Sequence, residues 1–68
     1  MKIRVTVSRR KFDLENYWMY YVNIEEYKDE RIWNRITVLE SVSEYSAKLD
    51  AEDLSLMFKC EMEILYEQ

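Results

Sequence analysis

The octapeptide Tyr17-Trp18-Met19-Tyr20-Tyr21-Val22-Asn23-Ile24 decides how the rest of the chain is read. Its aromatic and β-branched residues favour a strand, with Trp18, Tyr20, Val22 and Ile24 on one side and Tyr17, Met19 and Tyr21 on the other. A helix competes, because Leu14, Trp18, Tyr21 and Glu25 also fall at helical spacing behind Asp13 as a cap. The aromatic content decides for the strand, and both of its faces are then apolar.

Working outward, Glu25 to Glu30 reads as a charged hairpin tip and Arg31 to Leu39 as the returning strand. Upstream, Ile3, Val5 and Val7 alternate with Lys2, Arg4 and Thr6, the period of a half-buried strand, and Arg9 to Asn16 reads as a charged connection. Downstream, Ser41-Val42-Ser43-Glu44 has the spacing of a capping box, so a helix of two to three turns is expected there, with Val42, Tyr45 and Leu49 as its apolar stripe. The acidic run Asp50 to Asp53 breaks that stripe. Phe58, Cys60, Met62, Ile64 and Tyr66 then alternate with Lys59, Glu61 and Glu63 as a last strand. The expected fold is α+β: one domain over residues 1–68, a four-stranded, mainly antiparallel sheet in the order β-β-β-α-β, and one short helix on one face.

A chain of 68 residues holds one small core. Such a core supplies roughly 3–5 kcal/mol and commonly needs a disulfide, a metal or a partner subunit besides. The lone Cys60 closes no intrachain disulfide, and without histidine a Cys/His zinc site does not assemble. Oligomerisation is the staple left. Glycine and proline are both absent, so the turns must use Asp, Asn and Lys where glycine usually supplies positive φ. The longest apolar run, Tyr17 to Val22, is far shorter than a membrane span. No signal-peptide h-region is visible and the single thiol suits a reducing compartment, so the expected location is the cytoplasm.

Catalysis is disfavoured by the residue types present. Histidine, the usual base near neutral pH, is missing, and with 14 acidic residues close carboxylate pairs arise by chance. Asp50-Ala51-Glu52-Asp53 lacks the length and the glycine of a calcium loop. Neither a catalytic residue nor a metal or cofactor is expected. Charge is ordered along the chain: net +5 over residues 1–12, −3 over 13–39 and −6 over 40–68. Pairing the first strand beside the last would place Lys2 and Arg4 near Glu61 and Glu63.

Two binding surfaces compete. One helix cannot cover both faces of the aromatic hairpin, which leaves Tyr17, Met19, Tyr21, Tyr27 and Trp33 as a candidate partner-binding face, rich in residue types enriched at interfaces. The rival is nucleic-acid contact by Arg9, Arg10 and Lys11, with stacking on Phe12, Tyr17 or Trp18. The sequence pI of about 4.8 weighs against it. The expected function is a small non-enzymatic protein–protein interaction protein acting as a homodimer. Residues with AT-rich codons outnumber those with GC-rich codons by 25 to 7. With the small size, that suggests an accessory or inhibitory protein of a virus or mobile element, working in the host cytoplasm.

Overall fold

Three long antiparallel strands come first, followed by a helical crossover and a short parallel strand. The computed structural model describes residues 2–12, 14 and 16–66, and the side chain of Trp33 also lies outside that description. The elements are β1 (Lys2–Phe12), β2 (Tyr17–Lys28), β3 (Arg31–Ser41), α1 (Glu44–Phe58) and β4 (Glu61–Leu65). They form one sheet in the order β3-β2-β1-β4. β1 and β3 both run antiparallel to β2, whereas β4 runs parallel to β1. A parallel neighbour requires a crossover of a dozen or more residues, and α1 supplies it. The octapeptide at Tyr17 is strand throughout, so the helical alternative behind Asp13 does not form; Asp13 itself lies outside the described residues.

The hairpins are longer than the sequence pattern implies. Arg9 to Phe12, expected in a connection, continue β1 and pair with Tyr20 to Tyr17, because the aromatic start of β2 gives them a ladder and ring faces to lie on. The expected tip Glu25 to Glu30 shrinks to Asp29 and Glu30, since Glu25 to Lys28 pair with β3 residues from Arg35 to Arg31. Both tip residues are left-handed, with φ of 55° and 65°, the sign that a type I′ hairpin turn demands. Asn16 and Lys59 complete the set of positive-φ residues among those described. The turns therefore do use Asp, Asn and Lys, with one Glu added.

α1 differs most from expectation. Its cap is Ser43, whose side chain accepts from the Ser46 amide, while Ser41 Oγ instead accepts from the Ser43 amide at 3.0 Å. The helix thus starts with Glu44 and runs 15 residues, through Asp50 to Asp53 and on to Phe58. It ends in a Schellman motif: Lys59 is left-handed, its amide donates to Leu56 O, and the Cys60 amide donates to Ser55 O. Phe58 and Cys60 consequently leave the last strand, which keeps only Glu61–Leu65.

The core lies between α1 and one sheet face. Val5, Val7, Tyr20 and Val22 meet Ala47 and Ala51, with Leu54, Cys60, Ile64 and Tyr66 packed around them. The inner stripe of α1 is Ala47, Ala51 and Ser55. Val42, Tyr45 and Leu49, expected inside, are exposed, because the cap falls at Ser43 and turns the small residues toward the sheet. No helix among the described residues is long and apolar enough to cross a membrane.

Candidate functional site

Alternation along β2 sends Tyr17, Met19, Tyr21 and Tyr27 to the face away from α1, as expected, but each is only half-exposed. Tyr17 stacks on Phe12 with centroids 5.6 Å apart. Tyr27 is drawn into an ionic cluster. Trp33 sits on β3 beside a bulge, where Glu26 opposes Asn34 and Tyr27 opposes Ile32. Tyr17, Met19, Tyr21 and Tyr27 do not make one exposed aromatic patch, since Asn23 and Glu25 lie between Tyr21 and Tyr27 on this face; the Trp33 side chain lies outside the described residues.

The centre of that face is Glu25, which is 0% exposed. Its carboxylate accepts from Arg4 Nε at 3.1 Å, from the Tyr27 hydroxyl at 2.6 Å and from Arg35 Nε. Burial opposes the charged form, yet the hydrogen bonds from Tyr27, Arg4 and Arg35 outweigh it and hold the carboxyl below its ordinary range. One step along, Asn23 is buried too: its amide donates to Thr6 and Ser8, and its oxygen accepts from Thr37 at 2.7 Å. Arg4 also pairs with Glu63, and Lys2 lies 4.0 Å from Glu61. The basic start of β1 is thus neutralised by the acidic β4 beside it. This face is a polar ladder that fixes strand register, and its donors and acceptors are engaged with one another.

The basic segment is divided between the two faces. Arg9 and Lys11 share the α1 side with Trp18, while Arg10 lies on the other side over Phe12, 5.6 Å from the ring centre. The Arg9 guanidinium is sandwiched between Trp18 and Tyr66 at 4.1 and 4.3 Å. Its Nε is buried without a hydrogen-bond partner among the described residues. Tyr66 donates to Glu44 at 2.8 Å; burial, then that bond, pushes its phenol above the ordinary range. At the opposite end of the sheet a cavity of about 490 Å³ is lined by Lys2, Arg4, Tyr27, Asp29, Glu30 and Glu61. Its lining mixes both signs of charge. Among the described residues no group of three or more Cys, Asp or Glu side chains is placed to hold a metal ion.

The exposed apolar surface lies elsewhere, and sequence reasoning missed it. Tyr45, Leu56 and Met57 are 74%, 71% and 71% exposed, and Leu49 joins them. At 100° per residue Tyr45, Leu49 and Leu56 fall on the side of α1 opposite Ala47 and Ala51. Glu44 and Lys48 point toward Tyr66 on the β4 side, so the other flank, through Asp50, Leu54 and Met57, faces β3. There Ile36 and Leu39 on the α1 side of β3 are also exposed. The available signal was the Ala47-Ala51-Ser55 spacing, which competes with Tyr45-Leu49-Leu56 for the inner face.

The chain is therefore a small mixed-sheet α+β module with a polar-laddered face and a helix that presents large apolar side chains outward. No protein-family model, curated protein or solved structure matches it.

Proposed function

We propose that this chain is a small non-enzymatic protein–protein interaction module that uses the outer face of α1 as its contact surface. One observation carries the reading: α1 packs alanine and serine against the sheet and turns Tyr45, Leu49, Leu56 and Met57 to solvent. Leaving these side chains wet forgoes about 1.5–3 kcal/mol for each fully exposed one, and an exposed apolar patch rimmed by charge marks a partner site. Glu44, Lys48, Glu52 and Asp53 supply that rim. An accessory or inhibitory role suits a module with this surface and so little else. Nucleic-acid binding by Arg9, Arg10 and Lys11 draws less support, since the three cations are split between two faces and Arg9 is held between two rings.

The test compares proteins captured from the source cell on the intact chain and on a Leu49→Glu/Leu56→Glu variant whose fold is checked by circular dichroism. A partner retained at least tenfold less by the variant supports the reading. Equal retention overturns it, as does salt-sensitive DNA binding that vanishes when Arg9, Arg10 and Lys11 are replaced.

A further inference from the structure

The two edges of the sheet are built differently. β4 is five residues long and carries Glu61 and Glu63, two of the devices by which natural sheets blunt an edge. β3 is eleven residues long and exposes Ile32, Ile36, Val38 and Leu39. Two core rows run across the sheet and end there. Ile36 continues Ile24 and the fully buried Val5, and Leu39 continues the fully buried Val22 and Val7. Ile36 and Leu39, at 52% and 43% exposure, close these rows with nothing beyond them among the described residues.

We infer that β3 is a self-pairing edge: two copies of this chain join β3 to β3, antiparallel, about a two-fold axis at Ile36, making one eight-stranded sheet. Charge selects this geometry. Arg31 and Arg35 lie in the first half of β3 and Glu40 near its end, so antiparallel pairing brings basic halves against acidic ones, whereas parallel pairing stacks like on like. An axis at Ile36 sets Arg35 opposite Thr37 of the second copy. An axis at Arg35 would oppose two guanidinium groups. The bulges of β3, one between the partners of Glu26 and Tyr27 and one between those of Val22 and Asn23, flank the regular run Asn34–Thr37, so with the axis at Ile36 close pairing is confined to Arg35–Thr37. The pairing also closes on itself: a two-fold interface uses both β3 edges, and the outer edges of the doubled sheet are the short, charged β4 strands. Each core gains the cover that so small a chain needs.

This inference uses a different surface from the outer face of α1, and its test separates the two. Light scattering on size-exclusion fractions at tens of micromolar should give a dimer. Ile36→Lys should raise its dissociation constant at least tenfold, whereas Leu49→Glu/Leu56→Glu should leave it unchanged. Because Ile36→Lys also perturbs the edge itself, a second variant guards the result. In a Cys60→Ser background, mild oxidation of Ile36→Cys should give a covalent dimer, since directly opposed Cβ atoms lie about 4.5–5.5 Å apart; Leu56→Cys should not. A strict monomer overturns the inference, and so does a dimer that crosslinks through Leu56→Cys but not Ile36→Cys.

Discussion

Replacing Glu25 should cost this protein much of its stability, and the loss should depend on pH in a specific way. Glu25 is fully buried and accepts from Arg4, Tyr27 and Arg35. Removing one partner of a buried ion pair typically costs about 3–5 kcal/mol. Arg35 is half-exposed and Arg4 partly so, which lets both cations turn toward water and puts Glu25→Ala near the low end, about 3 kcal/mol. A core of this size supplies roughly 3–5 kcal/mol, so the variant should keep no more than about 2 kcal/mol at room temperature. Glu25→Gln keeps the shape but exchanges charge-assisted hydrogen bonds for neutral ones about half as strong, and about 1.5 kcal/mol should go. The carboxyl is depressed in the folded state, so its stabilising contribution is fully present above the ordinary value near 4.5 and lost as pH falls through the folded value. Urea unfolding of wild type and Glu25→Gln across that window should give stability curves that separate at neutral pH and converge in acid. Curves that stay parallel, or a Glu25→Ala variant within about 0.5 kcal/mol of wild type, would refute the reasoning.

Glu30 occupies a left-handed position with φ of 65°, so Glu30→Gly should stabilise the hairpin by about 0.5–1 kcal/mol, read as a rise in Tm of roughly 4 °C. Ser43→Ala removes the helix cap and should lower the urea midpoint by the equivalent of about 1 kcal/mol. Ala51 is fully buried between α1 and the sheet, and Ala51→Leu should cost about 1–3 kcal/mol or more by forcing the layers apart. By contrast, Leu56→Ser on the outer face should change stability by no more than about 0.5 kcal/mol in the same assay.

The sheet was legible because its strands carry period-two patterns that survive at the level of single residues: Ile3-Val5-Val7 and Trp18-Tyr20-Val22-Ile24 all share the α1 side. The pairing of Lys2 and Arg4 with Glu61 and Glu63 was legible from charge order. What the pattern hid has a common cause, that bulk is a poor guide where small residues win. Ala47 and Ala51 allow α1 to approach the sheet closely, a gain that hydrophobicity alone assigns to Tyr45 and Leu49. The acidic run Asp50 to Asp53 looked like a break because its charges are visible and its place between Ala47 and Ser55 on a helix is not. Glu25 was hidden for the opposite reason. Its burial depends on Arg4 and Arg35 from two other strands, and no local pattern announces a pairing across the sheet.

The parallel partnership of β1 with β4 sets the order in which this molecule opens. Arg4 reaches Glu63 across 59 residues of sequence, while β1, β2 and β3 form a meander held by near neighbours. Loop-closure entropy therefore makes β4 docking the late event of folding. Among the described residues the same strand is the shortest, at five residues, and has a sheet neighbour on one side alone. Its amides should be the first in the sheet to exchange with solvent, in a cooperative opening that frees β4 with the end of α1 while the three-stranded meander stays closed.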